Sequence, residues 1–179
     1  MRIAAVVCVG VGTCVAVAAC GEVSGPENDR TFVGLTSDTH DIVGEGGTYE
    51  YTQANADITV YVEGGVLQVQ IESDHDWLGN FEMPNARDRL EVGDYPNMSW
   101  IPSSNTSGRM HWMQTSSSVG CASHGAFWID RVVYAGDELT AVDLRFEQYC
   151  TQQPDVDPPA ALRGVFRWRA NDPTERISG

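Results

Sequence analysis

Hydrophobic and polar residues alternate with a period of two along most of this chain. Ile58, Val60 and Val62 alternate with polar neighbours, Glu63-Gly64-Gly65 interrupts them, and Leu67, Val69 and Ile71 take the alternation up again. That is the pattern of a β-hairpin with one buried face. TYEYT at 48–52 carries Tyr49 and Tyr51 on one side, and Trp77, Phe81 and Met83 keep the same period until Pro84 stops it. A short strand is expected over 90–92, ending at Gly93-Asp94, with further strands over 110–114 and 127–134. After a turn at Ala135-Gly136-Asp137-Glu138, Val142, Leu144 and Phe146 face one way while Asp143, Arg145 and Glu147 face the other. The last strand turns Leu162, Gly164, Phe166 and Trp168 inward and Arg163, Val165, Arg167 and Arg169 outward. No window of useful length has a helical period. Many short alternating strands separated by turn residues predict a single all-β domain, an antiparallel sandwich or barrel-like fold, over 31–170.

The first residues break the pattern. Arg2 is followed by an apolar run over 3–16 that is short for a membrane span and has no basic flank after it, so a processed export signal over 1–19 fits better than a permanent span. Val17-Ala18-Ala19-Cys20 resembles the lipobox of bacterial lipoproteins, in which the cysteine is acylated and the chain is cut just before it. Cys20 is therefore expected to be lipidated, with the bilayer as its partner. An uncleaved anchor, or an ordinary signal cut elsewhere, is the alternative. Residues 20–30 read as a tether of about 15–20 Å reach, and 171–179 as a flexible tail. Gly21 lacks the aspartate that retains many lipoproteins on an inner membrane, which points outward in a two-membrane cell.

Charge narrows the partners. The chain has 25 acidic residues against 11 basic ones, every one of them arginine, for a formal net charge of −14. Loss of Arg2 with the leader makes the balance one unit more negative. Such a surface is repelled by nucleic acid, which is excluded as a partner, and by anionic lipid headgroups. Once Cys8 and Cys14 leave with the leader and Cys20 is acylated, Cys121 and Cys150 remain. Two cysteines in an exported domain read as one disulfide; a metal site is the alternative, though neither cysteine lies in a CxxC pair.

Candidate chemistry is sparse. His40, His75, His111 and His124 show no HxH or HxxxH spacing, so no metal and no cofactor is assigned. Asp155 and Asp157 could share one hard cation, but no Asp-x-Asp-x-Asp-Gly loop follows. There is no Gly-x-Ser-x-Gly nucleophile motif, and the serine run at 116–118 reads as a loop. The chain is read as a non-enzyme. Trp77, Trp112 and Trp168 fall on inward positions and Trp128 on the opposite face. Trp100 sits in YPNMSWIPSSNTSGR (95–109), read as a loop whose Tyr95, Asn97, Trp100 and Arg109 are the candidate ligand residues. An aromatic plane for a ring's C–H face, short polar groups for hydroxyls and two prolines to limit chain freedom suit a sugar. A structural loop with Trp100 tucked over the sandwich edge is the competing reading.

The second half carries a resemblance. VGCASHGAF, VVYAGDELTAVDLRFEQYC and ALRGVFRW resemble a family of exported bacterial domains to which no activity is assigned. Its shape is a glycine-cysteine, a Gly-x-Phe strand, a hairpin, a strand ending Phe-x-Gln-x-Cys and a closing Leu-x-Gly strand. GEGGTYEYT and LEVGDY match its earlier strands more loosely, so the likeness covers most of the chain after the leader. The resemblance implies an all-β fold and a Cys121–Cys150 bridge. Where the family usually has histidine before the second cysteine, this chain has Tyr149. The functional expectation is a membrane-anchored lipoprotein with a structural or interaction role in the envelope, its partner a polysaccharide or a protein. A carbohydrate- or small-ligand-binding module, or an envelope hydrolase, are the alternatives.

Overall fold

The computed structural model describes residues 29–85, 88–101, 107–117, 120–152 and 157–174. The leader, Cys20, residues 102–106 of the candidate loop, Ser118, Asp155 and the chain after Thr174 lie outside the described residues. Among the described residues ten strands follow one another: β1 (Phe32–Ser37), β2 (Thr48–Thr52), β3 (Asp57–Glu63), β4 (Val66–Glu72), β5 (Trp77–Glu82), β6 (Gly93–Ser99), β7 (Arg109–Gln114), β8 (Ser123–Ala135), β9 (Glu138–Cys150) and β10 (Ala161–Arg169). They form a six-stranded sheet in the order β2-β1-β10-β9-β8-β6 and a four-stranded sheet in the order β3-β4-β5-β7. Every pairing is antiparallel. No strand is shared between the sheets, so the architecture is a sandwich and not a barrel.

The hairpin read from alternation is β3–β4. Its two-residue turn puts Gly64 and Gly65 at φ of 57° and 80°, the pair of left-handed positions that a type I′ turn requires and that a side chain resists. Between the sheets, Phe81, Trp112, Phe127 and Phe146 meet at ring-centroid distances from 5.0 to 6.1 Å. The indole N–H of fully buried Trp77 crosses the core to donate to the Tyr51 hydroxyl at 3.0 Å. Space for these rings is left by glycine. A Cβ on Gly164 would lie 2.0 Å from the Phe146 ring, and one on Gly79 would lie 2.3 Å from Trp112.

One edge of the small sheet is closed by side chains from the large one. Among the described residues, strand β7 pairs only with β5, leaving backbone groups on its other side. Gln148 of β9 is wholly buried; its Oε1 accepts from the Trp112 N–H and its Nε2 donates to the Trp112 carbonyl, both at 2.8 Å. The Ser123 hydroxyl donates to the Met110 carbonyl at 3.1 Å. An amide side chain thus does for β7 what a further strand would do, which buried backbone polar groups require. Beside it, Cys121 and Cys150 are bonded, with Cα atoms 5.5 Å apart.

Several expectations are corrected. Strand β1, an interior member of the large sheet, is not among the strands read from alternation, because outward-facing Phe32 masks the alternation of Val33, Leu35 and Ser37. Residues 90–92 are not a strand: the Leu90 and Glu91 N–H groups go to the Tyr134 hydroxyl and the Met83 sulfur, not to a ladder. The strand begins at Gly93 and runs through what was read as a loop. Across the β9–β10 ladder Arg163 opposes Glu147, and Arg167 opposes Asp143. The Asp143 carboxylate, however, takes a two-pronged bond from Arg169, a diagonal neighbour within reach of a long side chain. Arg169, expected outward, is buried by that pairing. Trp168 is half-buried, because edge strand β3 covers it incompletely. In the segment read as a flexible tail, Asp172 accepts from the Thr31 N–H at 2.6 Å, which fastens the chain back to the start of β1.

Candidate functional site

The outer face of the large sheet carries a cleft of about 660 Å³ at the end where β8 begins and β9 finishes. Its floor comes from outward positions of three neighbouring strands. The register sets His124 opposite Tyr149, Ala126 opposite Glu147, and Glu147 opposite Arg163. One wall is β6. There Tyr95 pairs with Phe127 and Met98 with Gly125, so Pro96 and Asn97 together oppose Ala126. This is a bulge, and it suits the sequence: proline is tolerated on an edge strand, and Asn97 takes a left-handed φ of 60°. The extra residue lets both Tyr95 and Met98 turn inward while Pro96 and Asn97 stand over the cleft. Pro158, Pro159 and Asp38 form the other wall.

The cleft has an aromatic part and a charged part. The His124 and Tyr149 rings stack with centroids 5.6 Å apart and planes 26° from parallel. Burial, and then the nearby Glu147 carboxylate, push the Tyr149 phenol above its ordinary range, so it stays protonated and able to donate. Arg163 reaches Glu147 at 2.8 Å and Asp38 at 2.9 Å. The Ala161 N–H, and then Arg163, hold the Asp38 carboxyl below the usual carboxylate range. Arg163 thus ties both carboxylates in place, and the cleft presents these carboxylates and the guanidinium beside the stacked aromatic pair. No known protein-family model matches this chain, and no curated protein or solved structure shows significant similarity to it. The site is read from its own geometry.

Of the four candidate ligand residues, only Asn97 lines this cleft. Tyr95 turns inward to stack on Phe127 at 4.7 Å and donates its hydroxyl to the Glu91 carbonyl. Arg109 pairs with Glu82 on the small sheet at 3.0 Å. Trp100 is 41 % exposed, its backbone N–H bonds the Ser123 carbonyl, and its indole lies over His111 at 4.4 Å. The loop does not gather these residues into one place. The residues that the sequence reading missed as a site are His124, Glu147, Tyr149, Arg163 and Asp38. The first four all lie at outward positions of readable strands, and that parity was the available signal.

His111 lies beside Ser123, with Nδ1 3.2 Å from Oγ. The Ser123 proton goes to the Met110 carbonyl, so the imidazole donates to the hydroxyl instead of drawing a proton from it. Both residues are buried. This is a satisfied core pair, not an activated nucleophile. Among the described residues, no group of three His, Cys, Asp or Glu side chains converges on a point that could hold a metal ion. Burial pushes the His111 pKa below its ordinary value. Its folded form resists a proton that the unfolded chain accepts near pH 6.5, so stability is full above that pH and falls as pH drops through it. Urea midpoints should decline between pH 7.5 and 5, and His111→Gln should flatten that decline; an unchanged slope would reject this assignment.

Proposed function

We propose that this chain is an exported, lipid-anchored binding module of the bacterial envelope, and that the cleft over His124 and Tyr149 takes a polyhydroxylated ligand, a carbohydrate. The anchor is supported by Val17-Ala18-Ala19-Cys20 at the end of a short apolar run. The ligand class is supported by one juxtaposition: a flat aromatic pair beside carboxylates whose positions are already fixed by Arg163 and the Ala161 N–H. Sugar rings present an apolar C–H face and a rim of hydroxyl donors. A ring stacked on Tyr149 would turn its hydroxyls toward Glu147 and Asp38. Groups already fixed in place lose less freedom on binding, which favours affinity. The strongly negative surface disfavours polyanionic ligands.

A glycan array probed with the purified full chain tests this reading. Retention of neutral glycans is expected, and Tyr149→Ala should abolish it while moving the melting temperature little, because Tyr149 is only half-buried. Unaltered retention by that variant would place the ligand elsewhere.

A further inference from the structure

We infer that the ligand is a linear chain of linked sugar units and not a single ring, a refinement that rests on the carbohydrate reading above. A second cleft, of about 770 Å³, lies next to the first and shares Asp38 and Pro158 with it. Its other lining residues include Thr39, His40, Asp157 and Ala160. Small-molecule pockets span about 300–1,000 Å³. Each cleft alone falls in that range, and the two joined exceed it. A single ring would leave most of this space to water.

The junction is rigid. The Asp38 N–H donates to the Ala161 carbonyl at 2.9 Å, and its carboxylate accepts from the Ala161 N–H at 3.0 Å and from Arg163 at 2.9 Å. Asp38 is thus pinned on the border of both clefts with its side chain 42 % exposed, unable to swing across either one. The two halves also differ in chemistry. The first offers a stacking surface in Tyr149 and His124, while the second offers hydroxyl, imidazole and carboxylate groups from Thr39, His40 and Asp157. One unit stacks, and the units linked to it run past Asp38 and are held by hydrogen bonds. The three carboxylates along this path, Glu147, Asp38 and Asp157, face one arginine, which disfavours an anionic chain.

The test uses the full chain in detergent micelles and neutral linear oligosaccharides of one to six units: gluco-, manno-, galacto- and xylo-series and N-acetylglucosamine oligomers. For the series that binds, affinity should rise at least tenfold from one unit to four and then level off. His40→Ala should erase that gain, so that the variant binds four units no more tightly than the shortest binder. A single sugar binding as tightly as its hexamer would overturn the extended path while leaving the carbohydrate reading standing. Failure of every series to bind at millimolar concentration would remove both.

Discussion

Replacing Gln148 by leucine is expected to destabilise the domain by about 2–5 kcal/mol, although the two side chains are close in volume. Gln148 is wholly buried and spends its amide on the backbone N–H and carbonyl of Trp112, at 2.8 Å each. Leucine fills the space and satisfies neither group. Each buried backbone group left without a partner costs about 1–3 kcal/mol. Against a total stability of about 5–15 kcal/mol for a domain, the loss should appear as a melting temperature lower by roughly 10 °C. Gln148→Glu separates this role from packing. Its carboxylate would face the Trp112 carbonyl with no proton to give, so the variant should be worse than leucine at neutral pH and recover partly at acid pH, when the protonated form can donate again. A Gln148→Leu variant within 1 kcal/mol of the parent would show that the clamp on β7 is dispensable.

The same residue shows what kind of information the sequence held. Phe146, Gln148 and Cys150 alternate on the inner face of β9: one packs on Trp112, the next clamps it, and the last is bonded to Cys121. A Cβ on Gly125 would lie 1.9 Å from the Glu147 carbonyl oxygen, and Gly164 makes room for the Phe146 ring. These inward residues therefore hold the two sheets together by packing, hydrogen bonding and the disulfide. Glu147 and Tyr149 are interleaved with that set on the opposite face of β9. The two-residue period writes fold and candidate site into alternate letters of one strand. Apart from Gln148, the inward letters are hydrophobic and legible; the outward ones look like ordinary solvated surface until their cross-strand neighbours are known.

That is why the strands were readable and the cleft was not. Leu67, Val69 and Ile71, or Val142, Leu144 and Phe146, announce a strand without help. The stacking of His124 on Tyr149 depends on a pairing register, and the wall at Pro96-Asn97 depends on β6 lying beside β8 across a bulge. The bulge also hid the strand, because an extra residue shifts the alternation between Tyr95 and Met98. Trp100 has the company of Pro, Asn and Ser that suits a ligand loop, but its side chain lies against His111 of β7. Glu147 and Arg163 pair across strands at 2.8 Å. Exposed pairs of this kind are worth roughly 0.2–1 kcal/mol, and here the pair's greater consequence is to hold Arg163 against Asp38.

Removing the Cys121–Cys150 bridge should cost about 3–4 kcal/mol. The two residues are 29 apart in sequence, and a cross-link of that span removes about this much loop-closure entropy from the unfolded chain. The bonded cysteines lie at the end of the β8–β9 ladder, where Ser123 pairs with Cys150 and His124 with Tyr149. The Thr151 N–H also donates to the Ala122 carbonyl at 3.0 Å, one residue from each cysteine. The strand ends are therefore held by hydrogen bonds as well as by sulfur, and the bridge acts mainly on the unfolded state. Urea unfolding of the oxidised chain and of a Cys121→Ala, Cys150→Ala double variant should give midpoints about 1–3 M apart with both folded in buffer. Because the ladder positions His124 and Tyr149, the folded double variant should retain glycans as the parent does. Equal midpoints would mean that the reduced, unfolded chain already keeps these strands together. Lost retention in a folded variant would mean instead that sulfur, and not the ladder, holds the stacked pair in place.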